Sequence, residues 1–326
     1  MTQAFPTRRG LLALGAALAL PAGGGMAQAL PRTVRLIVPY PPGGASDITA
    51  RLLAQEMTGA TGAAFVVENR GGAASITGTQ AIATAAPDGA TLGVVDTAFL
   101  VNQGLFATRL PYDTRRDFTF VSMLVRSPLV LVVPVQSPWN SVAQLVEAAK
   151  AKPGELAFGS AGNGSAVHMA GEQLRLAAGF TYVHVPYRGG GPMITDLLAA
   201  RVQMAFGTVP AMAEHVRAGR LRALAVTGAT RAALLPDVPS MAEAGQPKVD
   251  AALMNGLVGP AGLPAPMVET LAQAARKVLT GDAMHARLTE LGFEPVASTP
   301  EAFREQGLRE IAQWEEVVRM SGIQPE

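Results

Sequence analysis

With 326 residues, 49% of them hydrophobic and 16% charged, the chain is long enough for one large core or two medium ones and too apolar to be disordered. A formal charge of +1, with no basic face and no interleaving of aromatic and basic residues, argues against nucleic acid as a partner. The absence of cysteine excludes disulfides, thiolate chemistry, cysteine-bound zinc and a lipidated N-terminal cysteine.

The first element is a leader. Thr7-Arg8-Arg9-Gly10 precedes an apolar run over 11–20, then Pro21, a glycine cluster and Ala27-Gln28-Ala29. Positive, apolar, then small-x-small is the order of a secretory signal with cleavage after Ala29, and the paired arginines leave both the Sec and the twin-arginine route open. The apolar run, roughly ten residues, is half of the roughly 20 that a membrane-spanning helix needs. Loss of Arg8 and Arg9 takes the formal charge from +1 to −1. The mature chain is expected outside the cytoplasm.

From residue 32 onward short apolar runs alternate with helical periodicity. Strands are expected at 34–40, 65–69, 92–95, 129–133, 156–159, 182–186, 202–206, 221–226 and 253–258, with helices such as 47–57, 142–151, 166–177 and 192–200 between them. Apolar strands separated by helices suit a parallel sheet covered on both faces, so the class is α/β. The stretch 118–134 breaks the alternation by being extended almost throughout, and 252–260 is a second such piece. A purely helical tail follows, with Ile311, Trp314 and Val318 on one face. Two crossing strands and a returning tail give two lobes, 31–125 plus 255–326 and 126–254, around a hinged cleft.

In such sheets ligands meet the residues just after each strand. Four turns at such positions are built alike, namely Pro42-Gly43-Gly44-Ala45-Ser46-Asp47, Asn69-Arg70-Gly71-Gly72-Ala73-Ala74-Ser75, Gly159-Ser160-Ala161-Gly162-Asn163-Gly164-Ser165 and Gly207-Thr208-Val209-Pro210. Each joins a flexible backbone to a capping Ser or Thr and a helix start, where free N–H groups can hold a carboxylate without Lys or Arg. The same chemistry also builds ordinary strand-helix loops. Asp47 suits either a helix-dipole partner or a hydrogen-bond acceptor for a ligand. Nucleotide-binding fingerprints are missing. Ser165 and His168 lie one helical turn apart, which raises an exported hydrolase, yet neither a nucleophile elbow nor an acidic orienter is legible, and a histidine orienting the glycine loop fits as well. His184, His215 and His285 lack metal-ligand spacing.

Taken in order, Pro39-Tyr-Pro-Pro-Gly-Gly-Ala-Ser-Asp47, Val67-Glu-Asn-Arg-Gly-Gly72, Pro87-Asp-Gly-Ala-Thr-Leu92, Gly159-Ser-Ala-Gly-Asn-Gly-Ser-Ala-Val-His168, His184-Val-Pro-Tyr-Arg-Gly189, Leu235-Pro-Asp-Val-Pro-Ser240 and Gly256-Leu-Val-Gly-Pro-Ala-Gly-Leu-Pro264 span nearly the whole mature chain. The set resembles the periplasmic solute-binding proteins of tripartite tricarboxylate transporters, the TctC or Bug family. The resemblance implies a two-lobed type II periplasmic-binding-protein fold with a two-strand hinge. It implies a monomer that closes on a small carboxylate and delivers it to the membrane permease subunits, with neither cofactor nor metal. A sensor that presents its closed form to a membrane kinase is a variant of that role.

In the family, the loops matching 40–47 and 160–168 grip one carboxylate from opposite lobes, largely through backbone groups and bridging waters. Carried over, Gly43, Gly44, Gly164 and Ser165 come first, followed by Tyr40, Asp47, Ser75, Thr97, Ser160, Asn163, His168 and Thr208. Two positions depart from the family pattern. Gly207 stands where the family often has an Asp that can meet an amino group, which disfavours an amino-acid ligand against a plain mono- or dicarboxylate. Asn255 stands where the family has Trp.

Overall fold

The computed structural model describes residues 1–2 and 30–324. Apart from Met1 and Thr2, the expected leader and its cleavage point lie outside the described residues. The first elements are β1 (Thr33–Val38), α1 (Ala45–Thr61), β2 (Ala64–Asn69), α2 (Ile76–Ala83), β3 (Thr91–Asp96), α3 (Thr97–Leu105) and the 17-residue β4 (Phe118–Pro134). Then come α4 (Val142–Ala151), β5 (Ala157–Ser160), α5 (Ala166–Ala178), β6 (Val183–Pro186), α6 (Gly190–Leu198), β7 (Met204–Thr208), α7 (Val209–Arg217) and β8 (Leu221–Val226). The chain ends with β9 (Ala252–Pro260), α8 (Ala265–Leu279), α9 (Asp282–Glu290), β10 (Glu294–Pro295) and α10 (Pro300–Ser321).

β1 lies between β2 and β3, parallel to both, and β5 lies between β6 and β7, again parallel. What joins these two parallel groups is antiparallel. β9 pairs with β3 and with β4 as far as Pro128; from Leu129 onward β4 pairs with β7 and β8. One strand thus serves both halves of the molecule, and the second crossing is the segment that leaves β8 and enters β9. Thr227 fastens the changeover: its N–H donates to the Leu129 carbonyl at 2.8 Å and its Oγ1 accepts from Leu129 N–H at 2.9 Å.

Local sequence explains the elements that carry the candidate site. α1 buries Ala50, Leu53, Ala54 and Met57, a stripe at helical spacing, and stops at Gly62, whose φ of 76° is the left-handed conformation that glycine enters without a Cβ clash. β3 is buried along almost its whole length because it lies between β1 and β9 with helices on its faces. α10 buries Phe303, Ile311 and Trp314 and packs on α3, β4 and α5, so the tail touches both halves.

Three expectations are corrected. The tail is not purely helical, since β10 pairs antiparallel with Val125 and Arg126 of β4. The strand expected at 202–206 is displaced to Met204–Thr208, because Val202 is used as a buried anchor before the strand begins. The sheet is mixed rather than parallel, for the two crossing strands run against their neighbours. Among the described residues no helix is long and apolar enough to cross a membrane.

Candidate functional site

Asp47 organises the first loop from below. Its carboxylate accepts the Gly43 N–H at 2.9 Å, Arg51 Nε at 2.9 Å and Asn69 Nδ2 at 2.9 Å. Burial opposes ionisation, yet the hydrogen bonds from Arg51, Gly43 and Asn69 hold the carboxyl below its ordinary value. Asp47 stands in the first turn of α1, as the helix-dipole reading requires, and its oxygens accept from this loop and its neighbours. Asn69 also donates to the Tyr40 carbonyl at 3.1 Å, so both ends of the turn hang on one amide.

The consequence for the glycines is specific. Gly43, at φ 91°, spends its N–H on Asp47, whereas the N–H groups of Gly44, Ala45 and Ser46 make no hydrogen bond among the described residues. A Cβ built on Gly44 would meet nothing within 4 Å, which leaves room for a guest against the backbone. The cap expected of Ser46 is not formed: the N-cap is Gly44, and Ser46 Oγ accepts from Asn255 Nδ2 at 2.8 Å. Asn255 Oδ1 in turn accepts from Thr49 Oγ1 at 3.2 Å, so this departure from the family pattern is a buried tether between β9 and the start of α1.

Above the same sheet end lies a buried polar cluster. Tyr40 donates its hydroxyl to Asp96 Oδ1 at 2.5 Å, and Asp96 Oδ1 also accepts the Ala98 N–H at 2.8 Å as the N-cap of α3. Burial, partly offset by these two donors, raises the Asp96 carboxyl to about 6. Ala73, Ala74 and Ser75 all have positive φ, between 46° and 72°, a left-handed run costing about 1–3 kcal/mol per strained residue. Asn102 holds it, donating Nδ2 to the Ala74 carbonyl at 2.8 Å and to Ser75 Oγ at 3.4 Å. Asn102 Oδ1 and the Tyr112 hydroxyl are buried without a partner among the described residues.

The second loop, from the other half, is internally braced. Ser160 Oγ accepts the Gly162 N–H at 3.2 Å and lies 2.7 Å from His184 Nε2. Ser165 caps α5 as expected: its Oγ accepts the His168 N–H at 3.3 Å and donates to the Gly162 carbonyl at 2.6 Å. Gly164, at φ 73°, donates its N–H to His168 Nδ1 at 3.2 Å, and the His168 ring stacks on His184 with centroids 4.0 Å apart. Burial, then His184 and Arg175, lowers His168 to about 3, which keeps it neutral. Ala166 and Val167 present N–H groups with no partner among the described residues. A Cβ at Gly164 would lie 2.9 Å from Leu105 Cδ2 and 3.4 Å from Asn102 Oδ1, so this loop closes on α3 and reaches the first cluster.

The structure therefore links Asp47, Gly43, Tyr40, Ser75, Gly164, Ser165 and His168 through a short chain of contacts. Ser160 braces the second loop from behind. Thr97 is a buried latch, accepting from Met254 N–H and donating to the Ala252 carbonyl, both at 3.0 Å. Asn163 and Thr208 have no side-chain hydrogen bond among the described residues, and Thr208 is the N-cap of α7 without a side-chain cap bond. A Cβ at Gly207 would lie 2.1 Å from Met212 Cε, so a side chain there would require Met212 to move. Arg70 is paired with Glu68 at 2.6 Å.

Sequence reasoning missed Asp96, Asn102 and Tyr112. Asp96 directly follows the apolar run 92–95, the one signal that could have exposed it. Two surface cavities, about 520 and 450 Å³, lie elsewhere; one sits by Arg32 and Lys277 at the opposite end of β1, the other by Asn140 and Glu243.

A family model described as the tripartite tricarboxylate transporter family receptor, TctC, matches residues 49–323. Protein BugT of Bordetella pertussis is 36% identical over 292 residues, 89% of this chain and 90% of its own. An R. palustris protein solved with adipate superposes with a TM-score of 0.82 at 33% identity, over 90% of this chain and 98% of that one. MatC of Rhodopseudomonas palustris, solved with bound malate, gives 0.79 at 30% identity over 88% and 98%. The chain accordingly belongs to the tripartite tricarboxylate transporter receptors, the TctC/Bug solute-binding proteins, with their two-lobed periplasmic-binding-protein fold.

Proposed function

We propose that this chain is a periplasmic receptor that captures a small organic carboxylate between its lobes and hands it to a tripartite tricarboxylate-type permease. The observation that carries the reading is the pair of helix starts, at α1 and α5, whose partnerless N–H groups stand on loops braced by Asp47 and His168. Such N-termini attract anions through their N–H groups and the helix dipole. The adipate and malate bound by the two R. palustris relatives support a carboxylate as the guest. The lobe limits, 31–125 with 255–326 and 126–254, export to the periplasm and action as a monomer belong to the same proposal. So do Gly44, Ser165 and the neighbouring residues as ligand contacts.

The hydrolase reading is disfavoured by geometry. Ser165 Oγ meets the backbone N–H of His168, while the ring nitrogen Nδ1 is occupied by Gly164 and Nε2 lies 3.9 Å from Glu172. A base must reach the nucleophile's proton. The test is thermal unfolding against mono-, di- and tricarboxylates with protein freed of its native solute. The melting temperature should rise with ligand concentration for a subset of them. A flat response across the panel would remove the proposal.

A further inference from the structure

This inference rests on the carboxylate-receptor reading and sharpens it. The cluster between β1, β3 and α3 leaves acceptors open, and the Tyr112 hydroxyl, its spare donor, reaches neither of them. Both hydrogen bonds to Asp96 arrive at Oδ1, from Tyr40 and from Ala98, and Oδ2 receives none among the described residues. Asn102 Oδ1, fully buried, is likewise without a donor. An acceptor left without a donor is costly to take out of water, so a guest that brings a donor to it binds more favourably.

The position fits a ligand contact. Asp96 ends β3, touches Tyr40 directly, precedes Thr97 and lies opposite Asn255, which holds Ser46 at the first turn of α1. The open N–H groups of Gly44, Ala45 and Ser46 are thus one tether away from a carboxylate oxygen. A substituent on the carbon next to a carboxylate held there can reach toward Asp96. A bare carboxylate would bring no donor to that spot, only a second anion that Asp96 repels. A hydroxyl or an ammonium group on that carbon would instead donate.

We infer that Asp96 is a specificity-determining residue that selects carboxylates carrying a hydrogen-bond donor, a hydroxyl or ammonium group, next to the bound carboxylate. The shared chemistry is the donor; two arms of the test separate its sources.

Calorimetry on solute-free protein at neutral pH, with matched sets, tests this: propionate, lactate and alanine; succinate, malate and aspartate; glutarate, 2-hydroxyglutarate and glutamate. In the parent at least one donor-bearing member should bind tenfold or more tighter than its unsubstituted match, and the hydroxyl and amino arms show which donor is used. Asp96→Asn keeps an acceptor for Tyr40 and Ala98 and removes a buried charge, so it should fold and melt no lower than the parent at neutral pH while narrowing that ratio to threefold or less. Equal binding of the unsubstituted acid, or a loss in Asp96→Asn that is uniform across a set, overturns the selectivity while leaving the carboxylate receptor standing. Proton uptake on binding of an unsubstituted acid, lost in Asp96→Asn, would show a protonated Asp96 donating to the ligand and would also overturn it. Binding of none of the nine would overturn the selectivity, whereas the receptor reading falls only if the wider panel of mono-, di- and tricarboxylates also leaves the melting temperature flat.

Discussion

At the scale of single residues, the loops are shaped less by their glycines than by the side chains beneath them. Asp47→Ala strips an acceptor from Gly43, Arg51 and Asn69 at once. Loss of these bonds should lower stability by about 1–3 kcal/mol in chemical denaturation and weaken carboxylate binding. Gly44→Ala differs: its φ of −81° is ordinary and its Cβ meets nothing, so stability should stay within about 0.5 kcal/mol while affinity falls at least tenfold. An unchanged dissociation constant in calorimetry would take Gly44 out of the site.

His168 gives a pH dependence with a definite sign. Its folded-state value of about 3 lies below the ordinary 6.5, so between these values the unfolded chain binds the extra proton and acidification destabilises the fold. Asp96 acts oppositely: raised from 3.8 to about 6, it takes up its proton first in the folded state, and acidification through that window stabilises. The two offset each other between about 6 and 3.8. In Asp96→Asn, stability measured by denaturant titration should therefore fall below pH 6.5 more steeply than in the parent, by up to about 1.4 kcal/mol per pH unit. Sequence made the loop glycines and Ser165 legible, because turn chemistry is local. It could not reveal Tyr40 with Asp96, 56 positions apart, or Ser160 with His184, 24 apart, since such pairings exist only once β1 lies beside β3 and β5 beside β6.

At the scale of elements, α3 is the connection between the two clusters. Asn102 fixes the left-handed run 73–75 ahead of α2, and Val101, Asn102 and Leu105 receive Gly164 from the other half. Asn102→Ala should speed amide hydrogen exchange at Ile76 and Thr79, both at the start of α2, and leave α8 unchanged. Equal rates in the two proteins would mean that the strained run is held by other contacts. The parallel strands and most helices were legible from apolar periodicity. β10 was not, because two residues, Glu294 and Pro295, carry no periodic signal and pair only because β4 offers them an edge.

For the whole molecule, shared strands and a shared helix decide how the halves can move. β4 serves both sheets, and α10 reaches the second half through Arg175 to the Ser321 carbonyl at 3.0 Å and Gln313 to Asp250 at 3.0 Å. Hinged closure would then bend the chain near the β4 changeover and the start of β9. A bound carboxylate should reduce the radius of gyration in X-ray scattering by a fraction of an ångström to about 1 Å, and no change would argue against hinged closure. The architecture was readable in outline because two extended stretches, 118–134 and 252–260, interrupt the strand-helix alternation; where β4 changes partners was not, since its apolar residues run through both sheets.

The central claim is that one carboxylate is held and not transformed. Native mass spectrometry of protein isolated gently from cells or reloaded with a binding acid measures this directly. The expected result is a one-to-one complex whose added mass is that of an organic acid and whose ligand is recovered unchanged after prolonged incubation. An added mass without a carboxyl group, or conversion of the ligand during incubation, would contradict it.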